Sequence, residues 1–89
     1  MLEIEEIKKF LRIEYDEDDK QLYMLRNAAE RYMIGAVGNG VDMEDERVKT
    51  IMLMYIADMY EKRTMQQGNG GYSAAISTMI QQIQLEMGD

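Results

Sequence analysis

The chain has 89 residues, enough for one hydrophobic core and therefore for one domain, 1–89. It contains no Cys, His, Pro or Trp, which excludes disulfides, thiolate nucleophiles, imidazole bases and the usual zinc and copper ligands together. With 17 acidic against 10 basic residues the formal charge is -7, so the surface as a whole repels a phosphate backbone and a sequence-specific DNA reader is not expected.

The opening segment, Met1 to Glu6, is acidic and amphipathic, without the basic and apolar regions of a secretory signal, which reads as a protein of the cytoplasm. From Glu3 to Leu11, the residues Ile4, Ile7, Phe10 and Leu11 fall at three- and four-residue spacing and predict a short helix with one apolar stripe. Asp16, Asp18 and Asp19 stand where a second helix begins, where carboxylates accept hydrogen bonds from free backbone N–H groups. Leu22, Leu25, Ala29, Tyr32, Met33 and Ala36 carry the stripe of that helix as far as Gly38-Asn39-Gly40, which stops it.

Asp42 to Glu46 is a second acidic start, and Val48 to Arg63 reads as a third helix. Ile51 to Ile56 and Met59 leave it almost no polar face, the pattern of a central helix. Asp58 closes the apolar run Ile51 to Ala57 far below the ~20 residues that a bilayer needs, so no membrane span is expected. Gln67 to Gly71 reads as a flexible connection. Ser73 is a candidate N-cap for a fourth helix bearing Ile76, Met79, Ile80, Ile83 and Met87. The fold class is therefore all-α, a small bundle of about four helices with the third central.

No charged residue lies between Thr64 and Leu85, and every Lys and Arg lies at or before Arg63. The fourth helix thus opposes its apolar stripe with Ser77, Thr78, Gln81, Gln82 and Gln84. Such a face can hydrogen-bond another protein without the desolvation cost of burying a charge. The 10 methionines divide between two roles: core filling, expected at Met24, Met33, Met52, Met54, Met59 and Met79, and an adaptable contact surface.

Catalytic and metal patterns fail residue by residue. A calcium loop starting at Asp16 would put Gln21 at its glycine position and Asn27 at its bidentate glutamate; one starting at Asp42 would put Arg47 and Leu53 there. Both fail. Ser73, Ser77, Thr50, Thr64 and Thr78 have no His to activate them, and no Lys is flanked by enough apolar sequence to suggest a buried ammonium. Gly68, Gly70 and Gly71 lack the Lys-Ser/Thr of a phosphate loop. Paired carboxylates would need a cleft that a domain of this size is not expected to offer. Neither an enzyme nor a cofactor is expected.

Two stretches carry a resemblance. One is Ile7-Lys8-Lys9-Phe10-Leu11-Arg12-Ile13, then acidic Asp16-Glu17-Asp18-Asp19, then Leu22, Leu25, Ala28-Ala29 and Tyr32. The other runs from Val48-Lys49 to Met59-Tyr60-Glu61-Lys62-Arg63. Together they resemble the gp6-like phage head–tail connector family, the small helical adaptors of tailed-phage necks, over about two thirds of the chain. The resemblance implies a phage or prophage adaptor of the virion neck, made in the host cytoplasm. It implies a homo-oligomeric ring, commonly dodecameric, beneath the portal protein, joining the DNA-filled head to tail-completion or stopper proteins. DNA would pass through the ring without sequence-specific binding. The family's C-terminal part is implicated in portal docking, which here points to Ser77, Thr78, Gln81, Gln82, Gln84 and Met87. Arg12 and Arg63 match basic family positions and are candidate intersubunit contacts, with a salt bridge or helix-end charge as the alternative. A cytoplasmic helical module that captures a partner protein is the competing reading of the same composition.

Overall fold

Four helices, α1 (Ile4–Leu11), α2 (Asp19–Val37), α3 (Glu46–Thr64) and α4 (Ser73–Met87), make up a computed structural model that describes residues 2–64 and 73–87, the side chains at 62–64 and 73 excepted. No strand occurs among the described residues, and the all-α reading holds. The expected roles of the 67–71 connection, of the Ser73 cap and of the Arg63 side chain lie outside the described residues.

The centrality of α3 follows from its lack of a polar face. Val48, Ile51, Met52 and Ile56 are buried, and Ala57, which helical geometry sets on roughly the opposite side from Met52, is 1% exposed. An α-helix buried on opposing sides must have neighbours on both. Accordingly α3 packs against α1, α2 and α4; α2 also touches all three, while α1 and α4 make no close approach among the described residues. Leu22, Ala29 and Met33 of α2 and Ile76, Ile80 and Ile83 of α4 complete the core.

Two core residues lie outside every helix. Leu2 is 1% exposed and Ile13 is 9% exposed. Leu2 is held in place where its carbonyl accepts from Arg26 Nη1 at 3.5 Å. Ile13 is turned inward by the end of α1: Arg12 is left-handed, at φ 61°, its N–H donates to the Lys9 carbonyl, and the Ile13 N–H donates to the Lys8 carbonyl at 2.9 Å. This is the double hydrogen bond of a Schellman cap, and its left-handed residue is usually glycine. Other stripe residues end up at the edge. Phe10 is 42% exposed, and Tyr32, 38% exposed, stacks on Tyr55 with ring centroids 4.8 Å apart.

The acidic helix starts behave differently from one another. At α3 the expectation holds for Asp45, whose Oδ1 accepts from the Arg47 N–H at 2.8 Å, while Asp42 Oδ1 accepts from the Glu44 N–H at 2.9 Å in the turn before the helix. At α2 it does not. Asp18 occupies the cap position without capping the backbone, and its Oδ2 instead accepts from the Tyr60 hydroxyl at 2.6 Å. Asp16 and Asp19 turn toward Lys8, whose Nζ lies 2.5 Å and 2.9 Å from their carboxylate oxygens. Lys8 is only 8% exposed, so the chain does bury an ammonium, contrary to the sequence reading. The reason is tertiary: carboxylates from the following turn fold over it and compensate its desolvation.

The methionines divide. Met33 and Met52 are fully buried, whereas Met24 and Met59 are 65% and 39% exposed, so core filling is corrected at those two positions. No helix among the described residues is long and apolar enough to cross a membrane.

Candidate functional site

α4 places its isoleucines inward at i, i+4 and i+7, which forces the remaining positions outward. Ser77, Thr78, Gln81, Gln82 and Gln84 are all exposed, as expected of a face without charge. The Thr78 hydroxyl donates to the Ala74 carbonyl at 3.1 Å and adds no outward donor. Leu85 is the residue that sequence reasoning missed. It is 76% exposed, the most of any large apolar side chain described, and with Gln81 and Gln84 it lines a shallow depression of about 290 Å³. Its signal was available in the helical pattern, because Leu85 falls between Thr78, Gln81 and Gln82 on the outer side of α4 and not on the isoleucine stripe.

The underside of this face is held at its C-terminal end. Arg47 Nη1 and Nη2 reach the two Glu86 carboxylate oxygens at 2.5 Å and 2.8 Å, and Nη2 also reaches Asp45 Oδ2 at 3.2 Å. Gln84 Nε2 donates to the Ala36 carbonyl at 2.6 Å, tying α4 to the end of α2. A Cβ added at Gly40 would stand 3.6 Å from Met87 Cε, so Met87, although 43% exposed, rests on the turn after α2. Of the sequence candidates, then, Gln84 and Met87 serve partly as anchors, and Ser77, Thr78, Gln81 and Gln82 stay on the open side.

The clamp has an electrostatic signature. Hydrogen bonding to Arg47 holds the Glu86 and Asp45 carboxyls below their ordinary values of 4.5 and 3.8. A carboxyl whose folded pKa is depressed stabilises the fold above its unfolded pKa, and that contribution is lost as pH falls through the folded value. The Glu86→Gln variant is therefore expected to melt below the parent at pH 7. The difference should close as pH falls from the ordinary value of 4.5 through the lowered folded value, where the parent loses the same interaction. Melting curves at pH 7 and pH 3 in low salt check this.

Arg12 stands apart from α4. It is exposed and borders an open groove of about 640 Å³ with Glu5, Lys8, Lys9, Ile13, Glu14 and Asp16. Its left-handed backbone costs a residue with a Cβ roughly 1–2 kcal/mol. Arg12→Gly should relieve that strain and raise stability by up to about 1 kcal/mol after the entropy of glycine is counted. A higher melting temperature for Arg12→Gly checks it; a lower one would show that the guanidinium itself supports the fold. The long groove has the mixed charge of a solvated surface, and among the described residues no group of three carboxylates is placed to hold a metal ion.

Beside the Lys8 cluster, two tyrosine hydroxyls meet the same turn. Tyr60 donates to Asp18, and its oxygen lies 3.1 Å from the Tyr15 hydroxyl. Hydrogen bonding to Asp18, then to Tyr15, pushes the Tyr60 phenol well above its ordinary value. Asp16, then Asp19, likewise raises the Lys8 ammonium. Both groups therefore stay protonated at neutral pH, and they fasten the α1–α2 turn to α1 and α3 without offering a general base.

Comparison with curated proteins and with solved structures finds no match. The family model described as Phage gp6-like head-tail connector protein matches residues 1–84, the entire core and the outward face of α4 through Gln84. On that match the chain belongs to the gp6-like head–tail connector family of phages, whose role is structural.

Proposed function

We propose that this protein is a ring-forming adaptor of the phage neck that sits beneath the portal protein and joins the DNA-filled head to tail-completion or stopper proteins. The outer face of α4 is its portal-docking surface. The observation that carries this reading is an exposed helix face with no charge, centred on Leu85 and anchored from below by Ile76, Ile80 and Ile83. Burying such a face removes apolar area and satisfiable amides from water and strands no ion. The anchoring keeps the surface formed before the partner arrives, which lowers the ordering cost of binding. A ring, commonly dodecameric in this family, suits a chain of this size, since a small domain leaves much apolar surface to be covered by neighbours.

The net charge of -7 supports a passive channel. An acidic lumen lets duplex DNA slide where a basic one would bind it through counterion release. Tight retention of linear duplex by the assembled ring at physiological salt would refute this part of the reading.

The docking test uses Leu85→Asp, a change at an exposed position that leaves the core intact, beside truncation before Ser73. Both are expected to abolish binding of the protein to purified portal, measured by light scattering of the mixture. Leu85→Asp with a parental melting temperature and undiminished portal binding would show that this face is not the contact.

A further inference from the structure

α2 presents outward a stripe that contains no acid. Lys20, Met24, Asn27 and Arg31 follow one another at helical spacing and all are exposed, with Met24 65% exposed in their midst. Neither Lys20 nor Arg31 has an ion-pair partner among the described residues, in contrast to Lys8, Arg47 and Lys49. Lys9, Arg12 and Arg26 likewise form no ion pair among the described residues, so what sets this stripe apart is that its two cations flank a bare methionine with no acid between them on that face. Its counterpart in sign lies on the α1–α2 turn. Glu14, Tyr15, Asp16 and Glu17 are all exposed there, with Tyr15 at 48%. That turn is held firmly, by Lys8 to Asp16 and by the Tyr15 and Tyr60 hydroxyls 3.1 Å apart.

We infer that the α2 stripe of one copy receives the α1–α2 turn of the next, with Tyr15 packing on Met24 and Glu14 and Glu17 facing Lys20 and Arg31. Each patch has an apolar centre and charged flanks, and the flanks are opposite in sign. Like pairing is disfavoured on both sides, because stripe against stripe would oppose cations and turn against turn would oppose carboxylates. The contact is therefore heterologous, which propagates head to tail and closes into a ring when the rotation per copy permits. Methionine suits such a joint, as its flexible thioether accommodates a tyrosine ring in several approaches. Nucleic acid is the poorer occupant: two cations are too few to offset the repulsion between a phosphate backbone and a chain of charge -7. The inference rests on the ring reading above and names the surfaces that would build it.

The absence of cysteine makes a clean crosslinking test possible. Met24→Cys and Glu17→Cys chains, differently tagged, are mixed under the conditions in which the parent assembles, at high concentration or on portal, and oxidised. A disulfide between Met24→Cys and Glu17→Cys chains in excess of either like pair is expected. In parallel, Lys20→Glu/Arg31→Glu should weaken assembly at least about tenfold, and Glu14→Lys/Glu17→Lys chains mixed with it should restore assembly. If the parent assembles while the mixed disulfide is missing and the charge reversal has no effect, this contact is overturned and the ring stands on other surfaces. If the parent assembles under neither condition, the ring reading and this contact fall together.

Discussion

Ile56→Ala is expected to destabilise the protein by about 2–5 kcal/mol, the range for removing a buried aliphatic side chain from a close-packed site. Ile56 is fully buried on α3, which like α2 touches all three other helices, so the resulting cavity has walls from several elements and cannot collapse by moving one of them. A domain of this length has a total stability of roughly 4–13 kcal/mol, so one substitution removes a large share of it. Urea titration should show a lower midpoint with an unchanged slope. Met24→Ala, at an exposed position of similar hydrophobicity, should stay within about 0.5 kcal/mol of the parent. Equal losses from the two variants would contradict the placement of α3 at the centre.

The second large effect concerns the Lys8 cluster, and its size depends on which partner is removed. Asp16→Asn/Asp19→Asn should lower the melting temperature more than Lys8→Met does. The double variant leaves an ammonium with 10% of its side chain exposed and no anion beside it, whereas Lys8→Met leaves carboxylates that are 87% and 35% exposed and can still be hydrated. Methionine also keeps most of the packing of the lysine stem. Combining all three substitutions should return stability to about the level of Lys8→Met alone, since the stranded charge is then gone. Additive losses in the triple variant would mean that the three groups do not act as one unit.

This cluster also marks where the sequence ceased to be legible. Acidic residues ahead of a helix read as backbone caps, and Asp45 is one, because the N–H it accepts from lies two residues on in the first turn of α3. At Asp16 to Asp19 the same composition is claimed by Lys8 and by Tyr60, 42 residues away from Asp18. A local rule cannot anticipate a competitor that arrives through tertiary packing. Phe10 and Tyr32 are similar cases. Their spacing is that of core residues, yet both sit at the rim, while Leu2 and Ile13, outside any periodic pattern, are buried. The face of α4 was readable in composition but not in detail. Its neutral residues and the outward place of Leu85 follow from helical spacing, whereas the anchoring of Gln84 and Met87 appears only once α4 is laid against α2 and the turn after it.

Four helices close to their observed bounds, the central place of α3 and the charge-free outer face of α4 were legible along the chain. Helix periodicity, glycine stops and the distribution of charge are all properties of neighbouring residues, and they survive any arrangement of the helices in space. Which carboxylates meet Lys8, Arg47 and Tyr60 and which methionines are left in water was settled by how the helices pack. Those outcomes depend on what each helix buries against its neighbours, and burial is a relation between distant segments that spacing along the chain does not encode.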